Sequence, residues 1–121
     1  MITQMTDLPD GVLGFEASGK VTGDDYSEVL VPAVEAALKQ YDKIGLLYVL
    51  GKDFDHYTAG AAWDDTKVGM ENLLSFGRIG VVTDHEAYRV AIKGFGLLIP
   101  AKVRVFATSE TEQAKSWISE T

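Results

Sequence analysis

Residues Ile44 to Leu50, reading IGLLYVL, form a nearly continuous apolar run. A strand with one wet face alternates apolar and polar side chains, so a run without alternation marks a strand covered on both faces, as in a parallel sheet. The run therefore predicts a central strand with helices packed on both sides. Parallel neighbours require long crossover connections, most often helices, and a chain of 121 residues has room for one such sheet in a single domain spanning residues 1–121. With 46% hydrophobic residues, it has enough apolar side chain to fill that interior without staples.

The flanking sequence supplies the remaining elements. Leu8-Pro9-Asp10-Gly11 has the composition of a tight turn, with proline presetting its own φ and glycine free to take positive φ. Ile2 to Met5 is expected to pair with Val12 to Ala17, where Leu13, Phe15 and Ala17 alternate with Gly14, Glu16 and Ser18. Thr22 is a candidate helix N-cap followed by Asp24 and Asp25, and Tyr26, Val29, Leu30, Ala33, Val34, Ala37, Leu38 and Tyr41 recur at helical spacing. Pro32 lies inside that pattern and predicts a kink or a break.

Gly51 to Tyr57 reads as a polar and aromatic loop, and Thr58 as the cap of a second helix running to about Leu74. Phe76 to Val82 is the next buried strand, and Thr83 with Glu86 has capping-box spacing for a third helix. Lys102 to Ala107 is a further strand, and Ser109 with Glu112 repeats the box before a helix bearing Ala114, Trp117 and Ile118. The predicted fold is α/β: an N-terminal β-hairpin, then alternating helices and strands. They form a mixed, mainly parallel sheet of about five strands with about four helices.

Composition narrows function by exclusion. There is no cysteine, which removes disulfides, thiolate metal sites and cysteine nucleophiles, and suits a reducing compartment. Eleven Lys plus Arg against eighteen Asp plus Glu give a net charge of -7, which argues against nucleic-acid binding. MITQMTDLPDG has no basic start and no apolar stretch before small residues, so no secretory signal is expected. The longest glycine-free apolar run, Leu46 to Leu50, is far shorter than the ~20 residues of a membrane span. The expected location is cytoplasmic.

The charge is also uneven. Between Glu86 and Glu110 there is no acid, whereas Arg89, Lys93, Lys102 and Arg104 are basic, and the same window holds GFGLLIP from Gly94 to Pro100. Two readings stand side by side. Phe95, Leu97, Leu98 and Ile99 close a helix against the sheet; or, with Lys93, they meet an anionic lipid surface at the inner membrane face.

Five segments follow one another in a specific order and spacing: Leu30-Val31-Pro32-Ala33 with Glu35; Trp63-Asp64-Asp65-Thr66-Lys67; Phe76-Gly77-Arg78-Ile79-Gly80-Val81-Val82-Thr83-Asp84; Arg89-Val90-Ala91-Ile92; and Val103-Arg104-Val105-Phe106 followed by Glu112, Ala114, Trp117 and Ile118. Together they resemble the SpoIIAA-like family. The resemblance implies the STAS-type fold of anti-sigma-factor antagonists, related in architecture to CRAL-TRIO lipid-binding domains, and through those relatives a role in binding lipid-like ligands or membranes. Anti-sigma antagonists carry a phosphorylatable serine where the central strand meets its helix. Here that place reads Asp55-His56-Tyr57-Thr58-Ala59-Gly60, so Thr58 is the candidate for phosphorylation. Its other reading is a plain helix cap.

Ligands of open parallel sheets bind outside the carboxyl ends of the strands, which directs attention to Gly51 to Thr58, Thr83 to His85 and Phe106 to Ser109. Asp53, Asp55, His56, Asp84 and His85 have the donor types of an oxygen and nitrogen metal site, but acids preceding helices are favoured electrostatically in any case. No metal and no cofactor is expected. No G-x-S-x-G elbow or phosphate-binding loop is present, and no enzymatic activity is expected. Phe54, Tyr57 and Trp63 are the candidate ligand-binding residues, facing an apolar pocket beside Phe95 to Ile99, although Trp63 also suits a core position.

The leading expectation is a non-enzymatic module for a lipid-like or apolar small molecule, with peripheral association to an anionic membrane. The alternative is a STAS-type regulatory protein that switches protein partners. A homodimer is left open.

Overall fold

The computed structural model describes residues 1–57, 76–97 and 101–120. Five strands, β1 (Ile2–Gln4), β2 (Val12–Val21), β3 (Ile44–Tyr57), β4 (Phe76–Val82) and β5 (Lys102–Phe106), form one sheet in chain order. β1 runs antiparallel to β2, and the other three pairings are parallel. The sequence expectation of a mixed, mainly parallel sheet of five strands is met. The hairpin forms at the expected turn, where the Val12 N–H donates to the Pro9 carbonyl at 3.2 Å and Gly11 takes φ 84°.

Four α-helical segments are described: α1 (Gly23–Asp25), α2 (Val31–Leu38), α3 (Glu86–Gly96) and α4 (Thr111–Ile118). The break expected at Pro32 is present. A π-helical turn over Tyr26–Leu30 separates α1 from α2, and Pro32 follows it in the first turn of α2, where the wider π turn accommodates the proline's missing N–H and its ring. Thr22 caps α1 as expected, through a reciprocal bond. Its N–H donates to the Asp25 carboxylate at 2.8 Å, and its hydroxyl accepts from the Asp25 N–H at 3.4 Å.

Two other caps differ from the expected boxes. The Thr83 hydroxyl accepts from the His85 N–H at 3.1 Å, ahead of α3, because the chain must turn out of β4 before it can coil. At the last helix, a 3-10 turn over Thr108–Glu110 intervenes, and the Glu110 carboxylate accepts from the Ala107 N–H at 2.8 Å. Glu110, rather than the Ser109 and Glu112 pair, does the capping, since the helix entry lies one short turn earlier than the periodicity indicated.

The double coverage expected of the central strand is explicit. Ile44, Tyr48 and Leu50 join a core with Phe15, Ala17, Leu30 and Val34, against which Tyr88 of α3 packs. Leu47 and Val49 point the other way, into a core with Val82, Phe106, Ala114 and Ile118. Thus α2 and α3 share one face of the sheet and α4 covers the opposite one. Leu47, Val34 and Ile118 are at most 1% exposed, and full burial of such side chains is worth about 1.5–3 kcal/mol each. Glycines lie under α4, where a Cβ on Gly45 would meet Ile118 at 3.3 Å and one on Gly80 would meet Trp117 at 3.4 Å.

One expectation is corrected. Gly51 to Tyr57 is not a loop but the second half of β3, paired with β2 through Val21↔Tyr57. The ladder to β2 supplies hydrogen bonds that the polar composition of this stretch did not suggest. Its register shifts between Ala17 and Lys20, where Gly19 adopts φ 58°, a conformation in which most side chains would be strained.

Candidate functional site

The carboxyl ends of β4 and β5 are tied together by side chains. The Thr83 N–H extends the ladder to the Phe106 carbonyl at 2.9 Å, and the Thr83 side chain is 1% exposed. One residue on, the Asp84 carboxylate accepts from the Thr108 N–H at 2.9 Å and from the Thr108 hydroxyl at 2.5 Å. Arg89 reaches back along the first turn of α3 and donates to the Thr83 carbonyl at 2.9 Å. The His85 ring lies 4.7 Å from that of Tyr88. Asp84 is thereby engaged in fastening this rim. Among the described residues no three His, Asp or Glu side chains come together as metal ligands.

β3 overshoots this rim. Its last pairing with β4 is Val49↔Val82, whereas its pairing with β2 continues to Tyr57. The backbone of Phe54 and Tyr57 is therefore carried beyond the end of β4, paired with Gly19 and Val21. Trp63 and Thr58 lie outside the described residues, as do Leu98 and Ile99.

α3 presents a second feature. Val90 is 67% exposed and Leu97 is 89% exposed. Lys93 and Gly94, between them, are exposed too. Spacings of three, four and seven put these residues on one helical stripe. The opposite side of the helix faces the sheet, where Tyr88 packs on the core and Gly96 approaches Val103 so closely that a Cβ would lie 2.9 Å from it. The helix closes with the Leu97 N–H on the Gly94 carbonyl at 3.2 Å. Of the predicted membrane contacts, Lys93 and Leu97 are thus solvent-facing, and Phe95 lies within α3. Val90 was missed, although its position seven residues before Leu97 was the signal.

On the other face of the sheet, the Arg78 guanidinium lies 5.1 Å from the centre of the Trp117 ring and donates to the Trp117 carbonyl at 2.6 Å. Arg104 lies over both Phe106, at 4.8 Å, and Trp117, at 5.5 Å. An open concavity of about 420 Å³ is lined here by Arg104, Glu112, Gln113, Ser116, Trp117 and Glu120. Sequence reasoning placed Trp117 on the final helix and did not anticipate this groove. Nearby, Lys115 donates to Asp7 at 2.9 Å, a bond that holds the Asp7 carboxyl below its ordinary range and pushes the Lys115 ammonium above its own.

A hairpin leading into a mainly parallel sheet, with helices on both faces and a tied carboxyl rim, defines a single-sheet α/β domain. The SpoIIAA-like family profile matches residues 12–119, and the chain belongs to that family. Among solved structures it is similar to an uncharacterised protein of the DUF3478 family with a SpoIIAA-like fold from Shewanella loihica PV-4. The two are 27% identical, with 98% of this chain and 92% of that one covered and a TM-score of 0.77. No curated protein matches the chain. The resemblance seen in the sequence is therefore correct at the level of family and fold.

Proposed function

We propose that this SpoIIAA-like chain is a non-enzymatic module that docks reversibly on an anionic membrane surface through α3 and holds an apolar ligand near the carboxyl ends of its strands. The observation that carries the docking is the exposed stripe of Val90, Lys93 and Leu97. Transferring a valine and a leucine of this exposure out of water contributes about 3–5 kcal/mol, and a lysine beside anionic headgroups adds about 1 kcal/mol. The sum corresponds to weak, reversible attachment, with a dissociation constant on the order of 0.04–1 mM. Among the described residues no helix is long and apolar enough to cross a membrane. Within α3, residues 87–96 carry no acid and Lys93 is exposed, which in a chain of net charge -7 favours this stretch as the part that meets anionic headgroups.

Flotation with phosphatidylglycerol-rich vesicles tests the docking, with phosphatidylcholine vesicles as reference. Enrichment with the anionic vesicles that falls on adding salt is the expected result. Equal recovery in the soluble fraction with and without vesicles overturns it.

The ligand half rests on Phe54, Tyr57 and Trp63 and is supported by the overshoot of β3, which carries the backbone of the first two past the carboxyl end of β4. Native mass spectrometry of protein taken gently from cells should show a bound lipid-sized adduct. A clean unliganded mass, persisting after incubation with fatty acids and phospholipids, would exclude it.

A further inference from the structure

We infer that β5 is a docking edge for an extended segment of another protein, one with acidic residues at alternate positions that adds to the sheet as a sixth strand. β5 is the last strand of the sheet order and pairs only with β4 among the described residues. Its sequence, Lys102-Val103-Arg104-Val105-Phe106, alternates in exposure, with Lys102 and Arg104 exposed and Val103 and Val105 half-buried. Side chains two apart lie on one face of a strand, so Lys102 shares the α4 face with Arg104. The other cations nearby already have carboxylates: Arg78 is bound to Glu120 at 3.2 Å, and Lys115 to Asp7 at 2.9 Å. Among the described residues, no carboxylate reaches Lys102 or Arg104 within ion-pair distance. Arg104 is nevertheless held in place, because its guanidinium lies over Phe106 and Trp117, 4.8 and 5.5 Å from their ring centres.

The surface beside this edge fits a strand. α4 packs over β3 and β4, so the flank of β5 on that side is left to the open groove lined by Arg104, Trp117, Gln113, Ser116, Glu112 and Glu120, where Glu120 is paired with Arg78 at 3.2 Å and Glu112 with Lys115 at 3.9 Å. A strand laid along β5 would gain main-chain hydrogen bonds from the edge and set every second side chain into that groove, toward Lys102 and Arg104. The alternate positions would face the valines and α3, which favours apolar residues there. Charge also says what the occupant is not. Full antiparallel overlap of two β5 strands sets Arg104 against Arg104, and like charges directly opposite are destabilising, so a second copy of this chain is disfavoured and an acidic segment favoured.

The probe is a short labelled peptide of alternating Glu and Val, compared by fluorescence anisotropy with one of alternating Lys and Val. The wild-type chain should bind the Glu/Val peptide, with an affinity that falls as salt is raised, and should bind the Lys/Val peptide at least about tenfold more weakly. Arg104→Glu should reverse this preference. On saturation, amide exchange of β5 should slow while that of β1 does not change. If Arg104→Glu proves unfolded by circular dichroism, Lys102→Glu supplies the same test. Equal binding of the two peptides, no binding of the Glu/Val peptide, an unchanged preference in the folded variants, or unchanged exchange at β5 would each overturn the inference. Leu97→Ser, which removes the proposed membrane contact, should leave peptide binding intact, so the two surfaces fail or stand separately.

Discussion

Asp84 and Thr108 meet across the sheet's carboxyl rim through two hydrogen bonds, one from the Thr108 backbone at 2.9 Å and one from its hydroxyl at 2.5 Å. The contact fastens the entry of α3 to the turn that follows β5. Because the pair is exposed, Asp84→Ala should destabilise the fold by about 1 kcal/mol, including the loss of a negative charge ahead of a helix. Thr108→Val should have a smaller effect, as it keeps the backbone donor. Urea unfolding of both variants checks the order. An Asp84→Ala variant as stable as wild type would mean that the rim is not held by this contact.

The two-faced core makes a sharper demand. Leu47 is fully buried, and its side chain lies beside Gly80 under α4. Leu47→Ala should cost about 2–5 kcal/mol. Gly80→Ala should cost about 1–3 kcal/mol by overpacking, since its Cβ would stand 3.2 Å from Leu47. Combining the two substitutions should cost less than the sum, because the truncation of Leu47 opens the space the new methyl group needs. Additive losses in a double-mutant cycle would contradict the packing.

Acid should weaken the fold partly through Asp25. The Thr22 N–H donating to its carboxylate, with the amino group of Met1 at 3.3 Å, holds the Asp25 carboxyl below the ordinary carboxylate range. A carboxyl lowered in the folded state contributes stability that is present above its unfolded pKa and is lost as pH falls through the folded value. Asp7, lowered by Lys115, acts in the same direction. Lys115, raised by Asp7, contributes below its unfolded pKa and loses that contribution as pH rises through the folded one. Thermal melts followed from neutral pH into acid should show a shallower decline for Asp25→Asn than for wild type.

Removing the exposed stripe of α3 should separate docking from folding. Val90→Ser and Leu97→Ser each expose no new core, so stability should change by less than about 0.5 kcal/mol. Together they should reduce recovery with anionic vesicles at least about tenfold, since most of the transfer free energy is theirs. Lys93→Glu should reduce it further by adding repulsion. A double serine variant that floats as well as wild type would move the contact elsewhere on the surface.

How much of this was legible in the sequence depended on which force set each element. Ile44 to Leu50 announced its burial on both faces because hydrophobic pattern alone decides it. Pro32 announced a helix break because its missing N–H is a local fact. The second half of β3 was hidden. The polar run of Lys52, Asp53, Asp55 and His56 does not read as a strand, and what recruits this stretch is the pairing with β2, a partner that no local pattern reveals. The caps at Thr83 and Glu110 were placed to within a few residues, but the bonding scheme depended on how the chain turns between strand and helix. At the surface, the run from Phe95 to Ile99 read equally as helix closure or as a lipid contact, and the exposure of Leu97 and Lys93 depends on packing that no local pattern reveals. The stack of Arg104 on Trp117 joins two elements whose adjacency belongs to the fold and not to the sequence.

The coincidence of chain order and sheet order bears on synthesis. Each strand joins the edge of one already made, so the sheet can grow in the direction of translation without waiting for a distant partner. Its second face cannot. Leu47 and Val49 lie on the α4 side of β3, and their cover, Ala114 and Ile118, comes more than sixty residues later. Until α4 has left the ribosome, the nascent sheet carries an oily underside, and this interval is when the protein is most exposed to aggregation and most in need of a chaperone.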